Sequence, residues 1–238
     1  MPLLKAVKDE FDARRDTQFV EDPQQIIPDN FLDGADGLAS GVAGIIGATY
    51  ALLPWPAGDR LAPAVACALA GLCAGFLFFN FPPAKIFLGD SGSTVLGLSI
   101  GFLSLSFYRL PFATGQRMLL PLVVAGLPLL DVTLAIIRRI RGRASPFFGD
   151  RRHIYDLLAA RGASARMVAL ACYVATALLG LIGFVAVRAK PVYFSFLASC
   201  GVGALLVTAI RMGALRLDKE QYDKAEKRWR NKANNVAD

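Results

Sequence analysis

The chain has 238 residues, 55% hydrophobic and 19% charged, with a mean hydropathy of +0.46 and a net charge of +7. Its apolar residues fall in long uncharged runs, and a bilayer core about 30 Å thick takes roughly 20 apolar helical residues to cross. That patterning argues against a soluble core and for an all-α, polytopic membrane protein. The positive charge sits in loops and tails beside those runs, with no aromatic-studded basic face, which argues against nucleic-acid binding. Cys67, Cys73, Cys172 and Cys200 each lie inside an apolar run without a C-x-x-C spacing. They read as small buried hydrophobes rather than as disulfide partners or zinc ligands.

Residues 1–29 form a polar N-terminal segment without the apolar stretch of a cleavable signal peptide. An amphipathic helix is expected there up to about Val20, before Pro23 and Pro28 interrupt it. Six apolar runs follow and predict about six transmembrane helices: Val42–Trp55, Leu61–Phe79, Thr94–Tyr108, Met118–Ile137, Met167–Val187 and Val192–Ile210. The first is short unless it borrows Leu38 and Ala39, and the third can begin as early as Ser91. Gly71, Gly75, Gly97 and Gly101 within these runs suit close helix packing. The runs delimit a transmembrane domain over 30–212. A charged tail, 213–238, follows, with Glu220–Lys224, Asp223–Lys227 and Glu226–Arg230 at the i, i+4 spacing of a solvated helix.

Loop charge sets the expected orientation. The segment after the fourth run carries Arg138, Arg139, Arg141, Arg143, Arg151, Arg152 and Arg161, and the tail adds Arg211, Arg216 and Lys219. The positive-inside rule puts both in the cytoplasm, and six crossings then put segments 30–40 and 80–93 on the same side.

Three polar segments thus share one membrane face. The first, Asn30-Phe-Leu-Asp33-Gly-Ala-Asp36-Gly-Leu-Ala-Ser40-Gly41, sets two carboxylates three residues apart among glycines. Such a pair reads either as a metal or nucleotide ligand or as a pair of turn caps. The second runs from Asn80 through Lys85 to Asp90-Ser91-Gly92-Ser93, just ahead of the third run. Asp90 suits either a Mg²⁺ ligand beside substrate phosphates or a plain N-cap. Its Gly-Asp-Ser-Gly-Ser string resembles a serine-protease sequence, but the soluble β-fold and triad partners of such an enzyme are missing. The third segment, Ser145-Pro-Phe-Phe-Gly-Asp150-Arg151-Arg152-His153-Ile-Tyr155-Asp156, places the chain's one histidine beside two arginines, whose forked guanidinium groups match phosphate oxygens. Asp131 lies inside the fourth run, two helical turns before Arg138. It reads as a functional acid or as Arg138's structural partner.

In this order, N-x-x-D-G-x-D-G-L-A, N-(x)9-D-x-G-S and S-P-F-x-x-D-R-x-H resemble the cytoplasmic-loop pattern of the polyprenyl-phosphate N-acetylhexosamine-1-phosphate transferases, glycosyl transferase family four. The resemblance covers roughly Asn30 to Gly162. It implies transfer of N-acetylhexosamine 1-phosphate from a UDP-sugar to a polyprenyl phosphate such as undecaprenyl phosphate, releasing UMP, in cell-wall or surface-glycan biosynthesis. It implies a multi-pass inner-membrane enzyme that uses Mg²⁺, with Mn²⁺ as the alternative ion, and works among membrane lipids; homo-oligomers stay open. Asp90 becomes the metal ligand, Asp33, Asp36 and His153 catalytic residues, and Asn30, Asn80, Arg151 and Arg152 substrate-binding residues. The chain departs from the family twice. Ile154, Tyr155 and Asp156 follow His153 where relatives carry further histidines, and residues 1–29 hold neither the family's N-terminal membrane helices nor its Asp-Asp pair. The second departure sets an alternative expectation: a catalytically incomplete remnant or subunit that retains substrate-binding loops.

Overall fold

Eight α-helices form among the described residues, which are 36–56, 58–110, 112, 114–142, 153–186, 188 and 190–216 of a computed structural model. They are α1 (Leu38–Ala51), α2 (Leu61–Asn80), α3 (Gly89–Ser106), α4 (Thr114–Val124), α5 (Gly126–Arg141), α6 (Ile154–Ala159), α7 (Ala165–Ala186) and α8 (Pro191–Arg211). A 3₁₀ turn, Phe107–Arg109, extends α3. No strand occurs among these residues. Helices α2, α3 with its 3₁₀ turn, α7 and α8 are each long and apolar enough to cross a bilayer. The protein is a polytopic, all-helical membrane protein.

Two of the six expected crossings differ. The first run does borrow Leu38 and Ala39, yet α1 still has only 14 residues. At 1.5 Å per residue that is about 21 Å, short of the hydrocarbon thickness. The fourth run is not one helix: α4 and α5 meet at Ala125 with a bend of 79°. Pro128 explains the break. It has no N–H for the carbonyl of Val124, and its ring crowds that same carbonyl. Among the described residues the candidate spans therefore number four, or five with the broken pair counted as one, where about six were expected.

Side-chain proximities fix the directions of the helices. Gly37, just before α1, meets Asn80 at the end of α2, so α1 and α2 are antiparallel. Tyr50 near the end of α1 meets Ser104 near the end of α3, and Arg109 after α3 pairs with Asp59 before α2. Helix α7 runs parallel to α1, with Tyr173 against Gly41 and Gly180 against Thr49. Helix α8 returns antiparallel, with Gly201 against Ile182. Leu130 and Leu134 of α5, Leu157 of α6, and Ala209 and Ala214 at the end of α8 form one small apolar cluster. Segments 36–40, 80–90, 153–166 and 209–216 therefore lie at the same end of the helices. The core beneath them centres on α1, half of whose residues are buried, with Ile46 and Tyr50 fully enclosed.

Candidate functional site

The first two polar segments are joined directly. Gly37 turns the chain into α1 with a φ of 72°, a left-handed conformation that favours glycine. Its amide donates to Asn80 Oδ1 at 3.0 Å. The Ser40 hydroxyl is shared between Asn80 Oδ1 at 2.9 Å and Gly37 O at 3.1 Å. Asn80 Nδ2 in turn donates to Ile86 O at 2.8 Å, which holds the loop leading to Asp90. Asp36 completes the joint, its Oδ2 accepting the Ala84 amide at 3.0 Å. A buried asparagine with both ends of its amide engaged ties the 37–40 segment and the loop at Ile86 to the end of α2.

Helix α7 braces this joint from behind. The Tyr173 hydroxyl donates to Gly37 O at 2.6 Å, and its ring lies on Gly41, where an added Cβ would stand 2.1 Å from Tyr173 Cε1. Only a glycine lets that ring approach. Arg166 Nε, at the start of α7, donates to Pro82 O at 2.9 Å. Neither Tyr173 nor Arg166 is marked by the sequence reading, although a tyrosine inside an apolar run, with one polar end to satisfy, is a usable signal.

Asp90 stands differently. The sequence puts it ahead of a helix, but the helix begins at Gly89 with Leu88 as its N-cap, so Asp90 sits within the first turn and is not the cap. Its carboxylate is exposed and, among the described residues, has no hydrogen-bond or ion-pair partner. A carboxylate near a helix N-terminus is favoured by the macrodipole and stays available to a cation.

The described end of the third segment, residues 153–156, is held by Asp131. Its Oδ2 lies 2.6 Å from His153 Nδ1, and its Oδ1 accepts the Ile154 amide at 2.8 Å. Of the two readings open for Asp131, the pair with Arg138 does not form: Arg138 is buried and its guanidinium donates to Ala214 O at 2.6 Å. Two of the residues that follow His153 are used on it. The Tyr155 ring lies parallel to the imidazole at 5.3 Å, and Asp156 Oδ2 accepts the His153 amide at 3.0 Å.

Of the predicted site residues, Asp36, Asn80, Asp90 and His153 fall at one end of the helices. Asn30, Asp33, Arg151 and Arg152 lie outside the described residues, as do the segments 1–29 and 217–238. No group of three or more His, Cys, Asp or Glu side chains is placed to hold a metal among the described residues. A hard cation that keeps its waters and takes one or two carboxylates alongside substrate phosphates needs no such group. The unpartnered carboxylate of Asp90 fits that role, whereas both oxygens of Asp131 are engaged.

Residues 29–108 match the family model of glycosyl transferase family 4, so the match takes in both halves of the Asn80 joint. The chain belongs to glycosyl transferase family 4. Over 157 residues this family member is 40% identical to a Bacillus subtilis protein described as a probable undecaprenyl-phosphate N-acetylglucosaminyl 1-phosphate transferase, covering 66% of the chain and 41% of the relative. It is 38% identical over 217 residues to a decaprenyl-phosphate N-acetylglucosaminephosphotransferase of Mycobacterium tuberculosis, covering 82% of the chain and 52% of the relative. It is 36% identical over 132 residues to a phospho-N-acetylmuramoyl-pentapeptide-transferase of Moorella thermoacetica, covering 54% of the chain and 39% of the relative. The chain thus spans about half the length, or less, of these curated relatives. A continuous stretch of 82% of the 238 residues necessarily includes Asp131 and His153, so the likeness to the mycobacterial protein reaches beyond the family-model match. No solved structure matches the chain.

Proposed function

We propose that this family 4 chain transfers N-acetylhexosamine 1-phosphate from a UDP-sugar to a polyprenyl phosphate such as undecaprenyl phosphate, releasing UMP, in cell-wall or surface-glycan assembly. The observation that carries the reading is the Asn80 joint, which ties Asp36 and Gly37 to the loop ending at Asp90. It gives two motif segments far apart in sequence one fixed relation at a membrane surface, where a water-soluble nucleotide sugar can meet a lipid phosphate.

In such a transfer an oxygen of the lipid phosphate attacks the β-phosphorus of the UDP-sugar. The bond from that phosphorus to the oxygen bridging the α-phosphate breaks, and UMP leaves with the bridging oxygen. The protein's work is mostly positioning and charge neutralisation. Asp90 would hold Mg²⁺, or Mn²⁺ in its place, which supplies charge neutralisation on the diphosphate. Asp33 and Asp36 serve the catalytic centre, and Asn30 the nucleotide. Asn80 sets the relation between the segments. Arg151 and Arg152 offer paired donors to phosphate oxygens beside His153. The arginine-rich stretch from Arg138 to Arg161 supports a cytoplasmic position for this end, in the inner membrane.

The test uses the purified full chain in lipid nanodiscs with UDP-GlcNAc, undecaprenyl phosphate and Mg²⁺. UMP release that depends on both substrates and on the ion is the expected result. Saturable UDP-GlcNAc binding without UMP would instead identify a binding unit that does not complete the transfer.

A further inference from the structure

Among the acids of the described residues, Asp131 commits both carboxylate oxygens to the segment around the only histidine of the chain. We infer that Asp131 is the positioning residue that fixes the His153 imidazole as the Nδ1–H form, which leaves proton exchange on the ring to Nε2. The inference rests on the transferase reading for its purpose, though not for its geometry.

A neutral imidazole carries one N–H and one acceptor nitrogen, and the partner of one nitrogen decides which is which. The partner of Nδ1 is a carboxylate oxygen at 2.6 Å. An ionised carboxylate only accepts, so Nδ1 must carry the hydrogen. This holds whether the ring is neutral or cationic, and Nε2 is then the one ring atom whose proton comes and goes. The ring is also held in angle. The other Asp131 oxygen takes the Ile154 amide, Asp156 takes the His153 amide, and Tyr155 lies parallel to the imidazole, within 2°. The pair is about one-fifth exposed, with side-chain exposures of 23% for His153 and 18% for Asp131. It is therefore sheltered enough for the hydrogen bond to persist, with part of the ring at the surface. An acid inside a membrane run is costly and calls for a partner. Here the partner is a residue 22 positions away that belongs to the third motif segment.

The experiment is nitrogen-15 NMR of histidine-labelled full chain in nanodiscs, recorded on the neutral ring. With one histidine in the sequence, a single pair of ring resonances is read without ambiguity. Wild type is expected to show a protonated Nδ1 and an unprotonated Nε2. In Asp131→Asn the carboxamide can turn its NH₂ toward Nδ1, and the neutral ring is expected to shift to the Nε2–H form. In Asp131→Ala the two forms should mix. A wild-type ring protonated at Nε2, or a ring unchanged in both variants, would overturn the inference. The wild-type spectrum alone decides the case should a variant not be recovered. No substrate is present, so this result stands or falls separately from UMP release.

Discussion

Replacing Asn80 with alanine should loosen the joint between the first two motif segments by an amount the contacts allow to be worked out. The change removes the acceptor of the Gly37 amide, the nearer acceptor of the Ser40 hydroxyl and the donor to Ile86 O. Ser40 keeps Gly37 O, and Ile86 belongs to an exposed residue that water can reach, so both recover most of what they lose. The Gly37 amide is the expensive loss, because a buried donor left without a partner costs about 1–3 kcal/mol. Adding the two smaller terms gives a total of about 2–4 kcal/mol, or on the order of 5–10 °C in apparent melting temperature for a chain of this size. Asn80→Asp should fall between. It still accepts from Gly37 and Ser40, but it sets a carboxylate oxygen against Ile86 O, 2.8 Å from the present donor. The assay is thermal unfolding in nanodiscs combined with amide hydrogen exchange. Exchange should rise at Gly37–Gly41 and over 81–88 before it rises in α7. An alanine variant that melts within a degree of wild type, with unchanged exchange at Gly37, would refute the joint as the organiser of these segments.

Gly41→Ala should destabilise by about 1–3 kcal/mol through overpacking, since the new methyl would stand 2.1 Å from the Tyr173 ring. Adding Tyr173→Leu should recover part of that loss in a double-mutant cycle on the same melting assay. Asp90→Asn should leave stability within about 0.5 kcal/mol, because the carboxylate has no partner among the described residues. UMP release should nevertheless fall by at least about 10²-fold, the scale on which a lost metal ligand acts on transition-state charge. Tyr173→Phe should keep the ring packing on Gly41 and lose only the bond to Gly37 O, for about 1 kcal/mol and a detectable rise in Gly37 amide exchange. Chelation by EDTA should abolish UMP release reversibly, with activity returning on Mg²⁺ or Mn²⁺, while leaving the melting temperature of substrate-free protein unchanged.

How far the sequence could be read follows from which interactions are local. Helices α2, α7 and α8 were legible because an uninterrupted apolar run of about 20 residues has few alternatives in a bilayer. The break between α4 and α5 was not. A hydropathy count over Met118–Ile137 is blind to Pro128, whose effect falls on the carbonyl four residues earlier. Asp131 was correctly singled out as costly, but its partner is set by the turn that brings residue 153 back against α5. Arg138, two turns further along α5, instead reaches Ala214 just past α8. Asn80 and Asp36 looked alike as polar residues in glycine- and proline-rich loops, and both turn out to bind the neighbouring motif's backbone or side chains. The pairing of Gly41 with Tyr173 depends on the rotation of α7 about its axis, which the near-uniform apolar pattern of that helix leaves open.

The most direct test of the central claim is the mass of the lipid product formed from UDP-GlcNAc and undecaprenyl phosphate by the full chain with Mg²⁺. A sugar 1-phosphate transferase must yield a lipid heavier by one sugar and one phosphate, together with UMP. That is the product predicted here, and it should be missing with Asp90→Asn. A lipid heavier by the sugar alone, with UDP released, or an unchanged lipid at every substrate and ion concentration, would contradict the account.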